Sequence, residues 1–417
     1  MIPCNKLILK YWTTFELLFK IGALSYFAVS FYYFFFLASA GGGDEALFID
    51  DLRFIKTYGW IVAIENSISI PYMMLAYPFS FFFKEHIALR FSNLVLLLIL
   101  VGYFFKVVKI KSENFYYYLA FYIATVSYFF VGTNDELFFI GILIFMTEVF
   151  YFVENKKMNN EILAFSGLIV SFFTRELFFV YLPVILLGFF FLYKNGFNFF
   201  TKKMIFPLLF FGFFILVNIP SLRINNKLSY DDKKSSSKIA TWPQRQYLAQ
   251  LMVNKGELPN FQHPNWEQTE AYLKKNGPHS LPNGIIEGMM FDYSLTIKEF
   301  FKDFYYSMLY GFRQLGLILL FPFYFIAINF KKEMLLSTKF FIPFSLLTML
   351  SVFSLIIISY VELRWYISVF LLSIVFYNYQ QTKNNINSNF VLLNYLVLCC
   401  FSLYGVYGIL HRFIGIL

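Results

Sequence analysis

The chain has 417 residues, of which 59% are hydrophobic, 23% aromatic and only 14% charged, with a net charge of +9. A soluble domain carries about 25% charged residues, so this composition excludes an ordinary cytosolic enzyme, a disordered chain and a nucleic-acid-binding arm. It points to a polytopic membrane protein whose excess Lys sits in cytoplasmic loops, with no nucleic-acid partner.

Lys6, Lys10 and Lys20 accompany the first apolar run, 21–40. No small-residue cleavage site follows cleanly, because Gly41–Gly43 lead directly into acidic residues. The run is therefore expected to be a retained first span with its N-terminus inside. A span needs about 20 apolar residues. Further runs lie at 88–107, 115–131, 137–153, 162–174, 177–193, 204–219, 312–330, 338–360, 366–380 and 389–410. The expectation is an all-α polytopic membrane protein of about eleven transmembrane helices, with 162–174 a short one. The connections bearing Lys106, Lys109, Lys111, Lys156, Lys157, Lys194, Lys202, Lys203, Lys331, Lys332, Lys339 and Lys383 then all fall on the inner face, as the positive-inside bias requires. The run 67–83 holds Pro71 and Pro78, and counting it as a span turns the Lys106 group outward. It is expected to be re-entrant or interfacial on the outer side, where irregular backbone is tolerated under protein cover.

Three blocks result: an N-terminal transmembrane module 1–219 with a first external loop 41–87, an external loop subdomain 220–311, and C-terminal transmembrane helices 312–417. The loop 220–311 is the one substantially polar region. It holds Asp231-Asp232-Lys233-Lys234-Ser235-Ser236-Ser237, then short amphipathic pieces at 265–275 and 295–310. It reads as a small external subdomain or lid, too short for a large core of its own. Cys4, Cys399 and Cys400 form no disulfide framework. His86, His263, His279 and His411 lack metal-ligand spacing. Gly41–Gly43 is no nucleotide-binding loop, since no Lys-Ser/Thr follows.

On this topology all eight arginines lie outside: Arg53, Arg90, Arg175, Arg223, Arg245, Arg313, Arg364 and Arg412. Arg makes planar, bidentate contacts to phosphate or carboxylate. Surface salt bridges account for such a set, and so does an anion site at the outer membrane face. Four constellations carry the acids. Asp44 and Glu45 follow the first span, with Asp50 and Asp51 about two helical turns later. A carboxylate there serves as a general base or a metal ligand, or simply complements a helix N-terminus. Asp135 and Glu136 sit where a loop re-enters the membrane, and Asn134 or Asp135 suits a helix cap. Arg175-Glu176 and Glu362-Arg364 lie against apolar runs, where ionisable groups pair or mark a substrate path.

The stretch 44–107 resembles the start of polytopic GT-C glycosyltransferases, most nearly the aminoarabinose-transferase and protein O-mannosyltransferase branch. The matching residues are Asp44-Glu45, Gly59-Trp60, Pro71-Tyr72-Met73-Met74-Leu75-Ala76-Tyr77 and Glu85-His86-Ile87-Ala88-Leu89-Arg90, followed by Asp135, Arg175 and Glu362-Leu363-Arg364-Trp365-Tyr366. The resemblance implies a GT-C-like fold, with juxtamembrane helices on the outer face beside the small external loop subdomain, and a glycosyltransferase of the cell envelope. Such an enzyme moves a sugar from a polyprenyl-phosphate-linked donor to a hydroxyl of a glycan, lipid or protein acceptor. The setting is the extracytoplasmic face of a bacterial inner membrane, among membrane lipids.

By that resemblance Asp44, with Glu45 as alternative, is the catalytic base, and Asp135 orients the acceptor. Arg175, Arg313 and Arg364 neutralise the donor phosphate, supported by Asp51, Arg90 and Glu362. Asp44 and Asp135 are the residues to hold a divalent cation if one is used; no other cofactor is called for. Two other readings remain open from the residues. An O-antigen polymerase or ligase would use Arg245, His263 and His279. A lipid-linked sugar flippase or other transporter would move the donor without forming a bond.

Overall fold

A computed structural model of the chain describes residues 4–230, 237, 239–330 and 338–414, without the side chains of 4–10, 338 and 414. The Cys4, Lys6 and Lys10 side chains, residues 231–236 of the polar stretch, and Lys331 and Lys332 thus lie outside the described residues.

The described residues are helical throughout, with no strand. In chain order the helices are α1 (Cys4–Tyr32), α2 (Glu45–Glu65), α3 (Ile70–Ala76), α4 (Glu85–Gly102), α5 (Glu113–Val126), α6 (Asp135–Asn155), α7 (Glu161–Thr174), α8 (Phe178–Lys194) and α9 (Ile205–Val217). There follow α10 (Ile219–Asn225), α11 (Trp242–Asn254), α12 (Trp266–Asn276), α13 (Ile285–Phe291), α14 (Tyr293–Leu315), α15 (Leu317–Asn329), α16 (Phe341–Leu355), α17 (Ile367–Thr382) and α18 (Ser388–Ile414). Four helical stretches are long and apolar enough to cross a bilayer: Tyr11–Leu37, Glu85–Val108, Asp135–Asn155 and Ser388–Phe413. Two bent pairs, α9 with α10 and α14 with α15, raise that to six. Helices α7, α8 and α16 are apolar but shorter.

The proline-bearing run 67–83 forms α3 and a following 3₁₀ turn, Tyr77–Phe81. At seven residues, α3 is far too short to cross a membrane, since a helix rises about 1.5 Å per residue. Two other runs break where a continuous span was expected. Residues 312–315 close α14, and the chain bends by 115° at Gly316 before α15 begins. Gly316 has φ +59°, and a Cβ there would meet Leu398 and Asn394, so only glycine fits. The Asn394 Oδ1 accepts from the Leu317 N–H (2.9 Å) and caps the new helix. The run 338–360 is helical only to Leu355.

The chain divides into two compact units. The first comprises 1–231, 311–346 and 367–417. The second joins 232–310 to 347–366, a stretch that the sequence assigns to the last membrane module.

In the first unit α6 is central. Its sequence is apolar on every side, as a helix surrounded by others requires, and nearly every residue from Asp135 to Val153 is buried. It packs against α7, α8, α17 and α4, while α1 packs between α18 and α5. The α6–α7 crossing is close because two glycines meet there. A Cβ at Gly141 would collide with the Gly167 carbonyl, and the Ser171 hydroxyl donates to the Phe138 carbonyl (2.6 Å) across the same seam. Small residues let membrane helices approach in this way. The second unit has a small core of Ala240, Tyr247, Leu248, Leu273, Leu281 and Ile357.

Gly141→Leu is expected to destabilise the protein by about 1–3 kcal/mol through overpacking, whereas Gly212→Ala, inside α9 and with nothing within 4 Å of the added Cβ, should stabilise it by up to about 1 kcal/mol. Thermal unfolding midpoints in detergent measure both.

Candidate functional site

The site is built around the N-terminus of α6 and the glycine loop ahead of α2, both in the first unit. Glycines 41 and 43 hold positive φ, so the chain turns sharply out of α1 and starts α2 at Glu45. Glu45 and Arg90 are 1% and 2% exposed. Arg90 Nε donates to Glu45 Oε1 (2.7 Å) and Nη2 to Oε2 (2.8 Å), a bidentate pair. The remaining guanidinium hydrogens go to the carbonyls of Phe35 (3.0 Å), Ala38 (3.2 Å) and Ser39 (3.2 Å). Glu45 also accepts from the N–H groups of Gly132 (2.9 Å) and Gly41 (2.9 Å). Burial pushes the Glu45 carboxyl up, but the bonds from Arg90, Gly132 and Gly41 outweigh it and hold its pKa below the ordinary value.

Both Glu45 oxygens are thus committed to holding the fold. Its neighbour Asp44 is half-buried at the start of α2, and the Glu45–Gly132 bond pins its loop to the segment that leads into Asp135.

Arg90 and Asn93 lie three residues apart on one face of α4. Asn93 Nδ2 donates to the Thr133 carbonyl (3.0 Å) and to Glu136 Oε2 (2.8 Å). The Thr133 hydroxyl also reaches Glu136 Oε2 (3.1 Å). Arg175 reaches this corner from the end of α7 and pairs with Asp135. Asp135 is 1% exposed and Arg175 24%, so the carboxylate is sealed while the guanidinium keeps an open edge. Arg175 is located by Thr174, whose carbonyl accepts from Ser69 Oγ (2.9 Å) and Asn134 Nδ2 (3.5 Å). Asp135 and Glu136 occupy the positive end of α6, and Arg175, partly accessible, is the cation that meets Asp135.

Comparison of the chain with protein-family models, with curated proteins and with solved structures finds no match. The stretches around Gly59-Trp60, Pro71–Tyr77 and Glu85–Arg90 pack against one another within the first unit, whereas Glu362–Tyr366 belong to the second. Gly59 kinks α2 at φ +81°, Trp60 packs edge-on against Tyr77 (5.2 Å) and Phe48 against Tyr72 (5.6 Å). Lys56 bonds Glu85 (3.0 Å), and the Tyr72 hydroxyl donates to the Leu89 carbonyl (3.2 Å).

The other expected residues are spread out. Asp51 is half-buried on α2, and Arg313 is exposed in the last turn of α14. Arg364 is 7% exposed and pairs with Glu362 in the second unit. In that unit His263 Nδ1 lies 3.2 Å from Ser359 Oγ. Arg245 Nε donates to the Pro264 carbonyl (2.6 Å) while its guanidinium covers Trp266. Among the described residues, no three of His, Cys, Asp and Glu gather to hold a metal ion.

Asn93, Thr133 and Ser69 escaped the sequence reading, although the Arg90-x-x-Asn93 spacing was there to find. So did Glu148, fully buried in α6, which accepts from the Tyr103 hydroxyl (2.8 Å) and the N–H groups of Asn159 (2.5 Å) and Asn160 (3.1 Å). These bonds close the α6–α7 turn.

Glu45→Gln or Arg90→Ala leaves a buried charge uncompensated and is expected to cost about 3–5 kcal/mol. Because the folded-state pKa of Glu45 is depressed, its stabilisation is complete above the unfolded value of ~4.3 and is lost as pH falls through the lower folded value. Melting curves of wild type and Glu45→Gln between neutral and acidic pH check this: the gap between them should narrow only below the ordinary carboxylate range.

Proposed function

We propose that the protein is an integral-membrane glycosyltransferase of the GT-C type. It moves a sugar from a polyprenyl-phosphate-linked donor to an acceptor hydroxyl at the extracytoplasmic face of the bacterial inner membrane. The proposed topology has about eleven spans, with the shorter apolar helices among them and the N-terminus inside. The observation that carries this reading is the pairing of buried Asp135 with partly exposed Arg175 at the head of α6, with the Asp44 loop pinned beside it through Glu45 and Gly132. A phosphate departing from the anomeric carbon needs positive charge, and an acceptor hydroxyl needs a base.

Asp44 is the proposed base. The acceptor oxygen attacks the anomeric carbon, the bond from that carbon to the phosphate oxygen breaks, and polyprenyl phosphate leaves as an anion. The hydroxyl proton passes to Asp44. The exposed edge of Arg175 receives the phosphate, and Asp135 holds Arg175 in place. Arg313 is a second candidate for the phosphate. The reading uses first-unit residues alone; Glu45 and Arg90 act as scaffold.

Purified protein in lipid nanodiscs, supplied with polyprenyl-phosphate sugars and acceptors, should release free polyprenyl phosphate. Asp44→Asn should lower that rate by about 10²–10⁴-fold with normal expression and melting temperature. Near-normal transfer by this variant removes Asp44 from the mechanism. Arg175→Ala should raise KM for the donor more than for the acceptor, and adding Asp135→Asn should cost little more, since the two act as one unit. Movement of donor across vesicles with no release of polyprenyl phosphate would favour a flippase.

The topology has its own check. Cysteine placed at the exposed Gly42 should react with an impermeant maleimide from outside intact cells. Labelling from the cytoplasmic side alone would overturn the site's orientation.

A further inference from the structure

Helix α14 is inverted for a helix in water. Tyr293, Ile297, Phe301, Tyr305 and Leu309 are 39–68% exposed, one every four residues, so they form a single apolar stripe. Thr296, Glu299, Asp303 and Ser307 are all 7% exposed or less. At about 3.6 residues per turn the two rows lie on opposite sides of the helix.

The buried row is polar and engaged with its own unit. Glu299 accepts from Asn254 Nδ2 (2.8 Å) and Lys302 Nζ (2.9 Å). The Ser307 hydroxyl meets the Tyr366 hydroxyl (3.0 Å), while Asp303 Oδ2 is buried with no hydrogen-bond partner. In water this helix would hide the groups that want solvent and display those that avoid it.

Two further observations name what covers the stripe. Lys298, exposed, stands on one flank, where a long cationic side chain reaches from an apolar seat to anionic headgroups. Past Gly316 the chain bends by 115° into α15, an apolar helix of 13 residues. The stripe is therefore continuous along the chain with a strongly apolar helix.

We propose that α14 lies in the plane of a bilayer leaflet, its Tyr293–Leu309 stripe seated at the boundary between headgroups and acyl chains, with Lys298 at the phosphates of anionic phospholipids. On the topology above this is the outer leaflet; the seating itself rests only on the membrane reading, not on the transferase chemistry. Much of what reads in sequence as an external loop is then a membrane-surface element.

Spin labels on full-length protein test this, with Cys4, Cys399 and Cys400 replaced by Ser and the protein in vesicles of phosphatidylcholine and phosphatidylglycerol. Labels go on I297C, F301C and Y305C along the stripe and K298C on the flank. L98C, at a position 70% exposed on α4, is the lipid-facing reference. The measured quantity is collision with oxygen relative to collision with an aqueous nickel chelate. The ratio should be several-fold higher on the stripe than at 298 and should approach the Leu98 value. A nickel-dominated stripe with an oxygen-dominated Leu98 overturns the seating and leaves the membrane reading standing. A nickel-dominated Leu98 overturns the membrane reading and the proposal with it. Low collision with both reagents, together with dipolar broadening between labels on different molecules, assigns the stripe to a second copy of the chain and overturns the proposal.

Discussion

Two opposite charges buried to 1% and 2% exposure, Glu45 and Arg90, hold one corner of the first unit together. Desolvating such a pair costs several kcal/mol per ion. Their attraction repays that only when the remaining donors and acceptors are satisfied, and here they are. Arg90 reaches three carbonyls at the end of α1, and Glu45 takes two backbone N–H groups, one from its own glycine loop and one from the loop ahead of α6. One ion pair thereby fastens the end of α1, the start of α2, the first turns of α4 and the approach to α6. This anchor also fixes the start of α2, where Asp44 adjoins Glu45.

The same economy of polar groups runs along α6. An apolar helix surrounded by other helices has nowhere to put a charge except at its ends, where backbone groups are unsatisfied. Asp135 and Glu136 stand at its N-terminus, favoured by the helix dipole and held by Arg175, Thr133 and Asn93. Glu148 lies towards the other end and collects the backbone N–H groups of the following turn. The first set is paired with a partly exposed cation; the second is closed by backbone and is suited to stability.

Helix α14 carries the reverse pattern for a physical reason of its own. A stripe of apolar side chains turned outward, with Thr296, Glu299, Asp303 and Ser307 turned inward, fits an outside that is hydrocarbon. The proposed polyprenyl-linked donor would approach laterally through that same medium. A leaflet-seated helix and a guanidinium at the head of α6 are therefore compatible parts of one lipid-facing protein, each argued from its own surroundings.

Class and element positions were legible in the sequence because they depend on local properties. Apolar runs long enough for helices, lysines clustered between them, and prolines in 67–83 each act within a few residues, and each expected run contains a helix. The breaks at Gly316 and Leu355 were not legible, since both lie inside unbroken apolar stretches; at Gly316 the turn is held by the distant Asn394. Among the site residues the sequence marked Asp44, Glu45, Arg90, Asp135 and Arg175 by type and spacing. Tertiary structure alone decided that Glu45 meets Arg90, that Asp135 meets Arg175, that Glu362 and Arg364 belong to the other unit, and that Asn93 and Thr133 belong to the corner. A charge is visible in a sequence, but its partner and its burial are set by contacts between residues dozens of positions apart, and those decide whether it stabilises or acts.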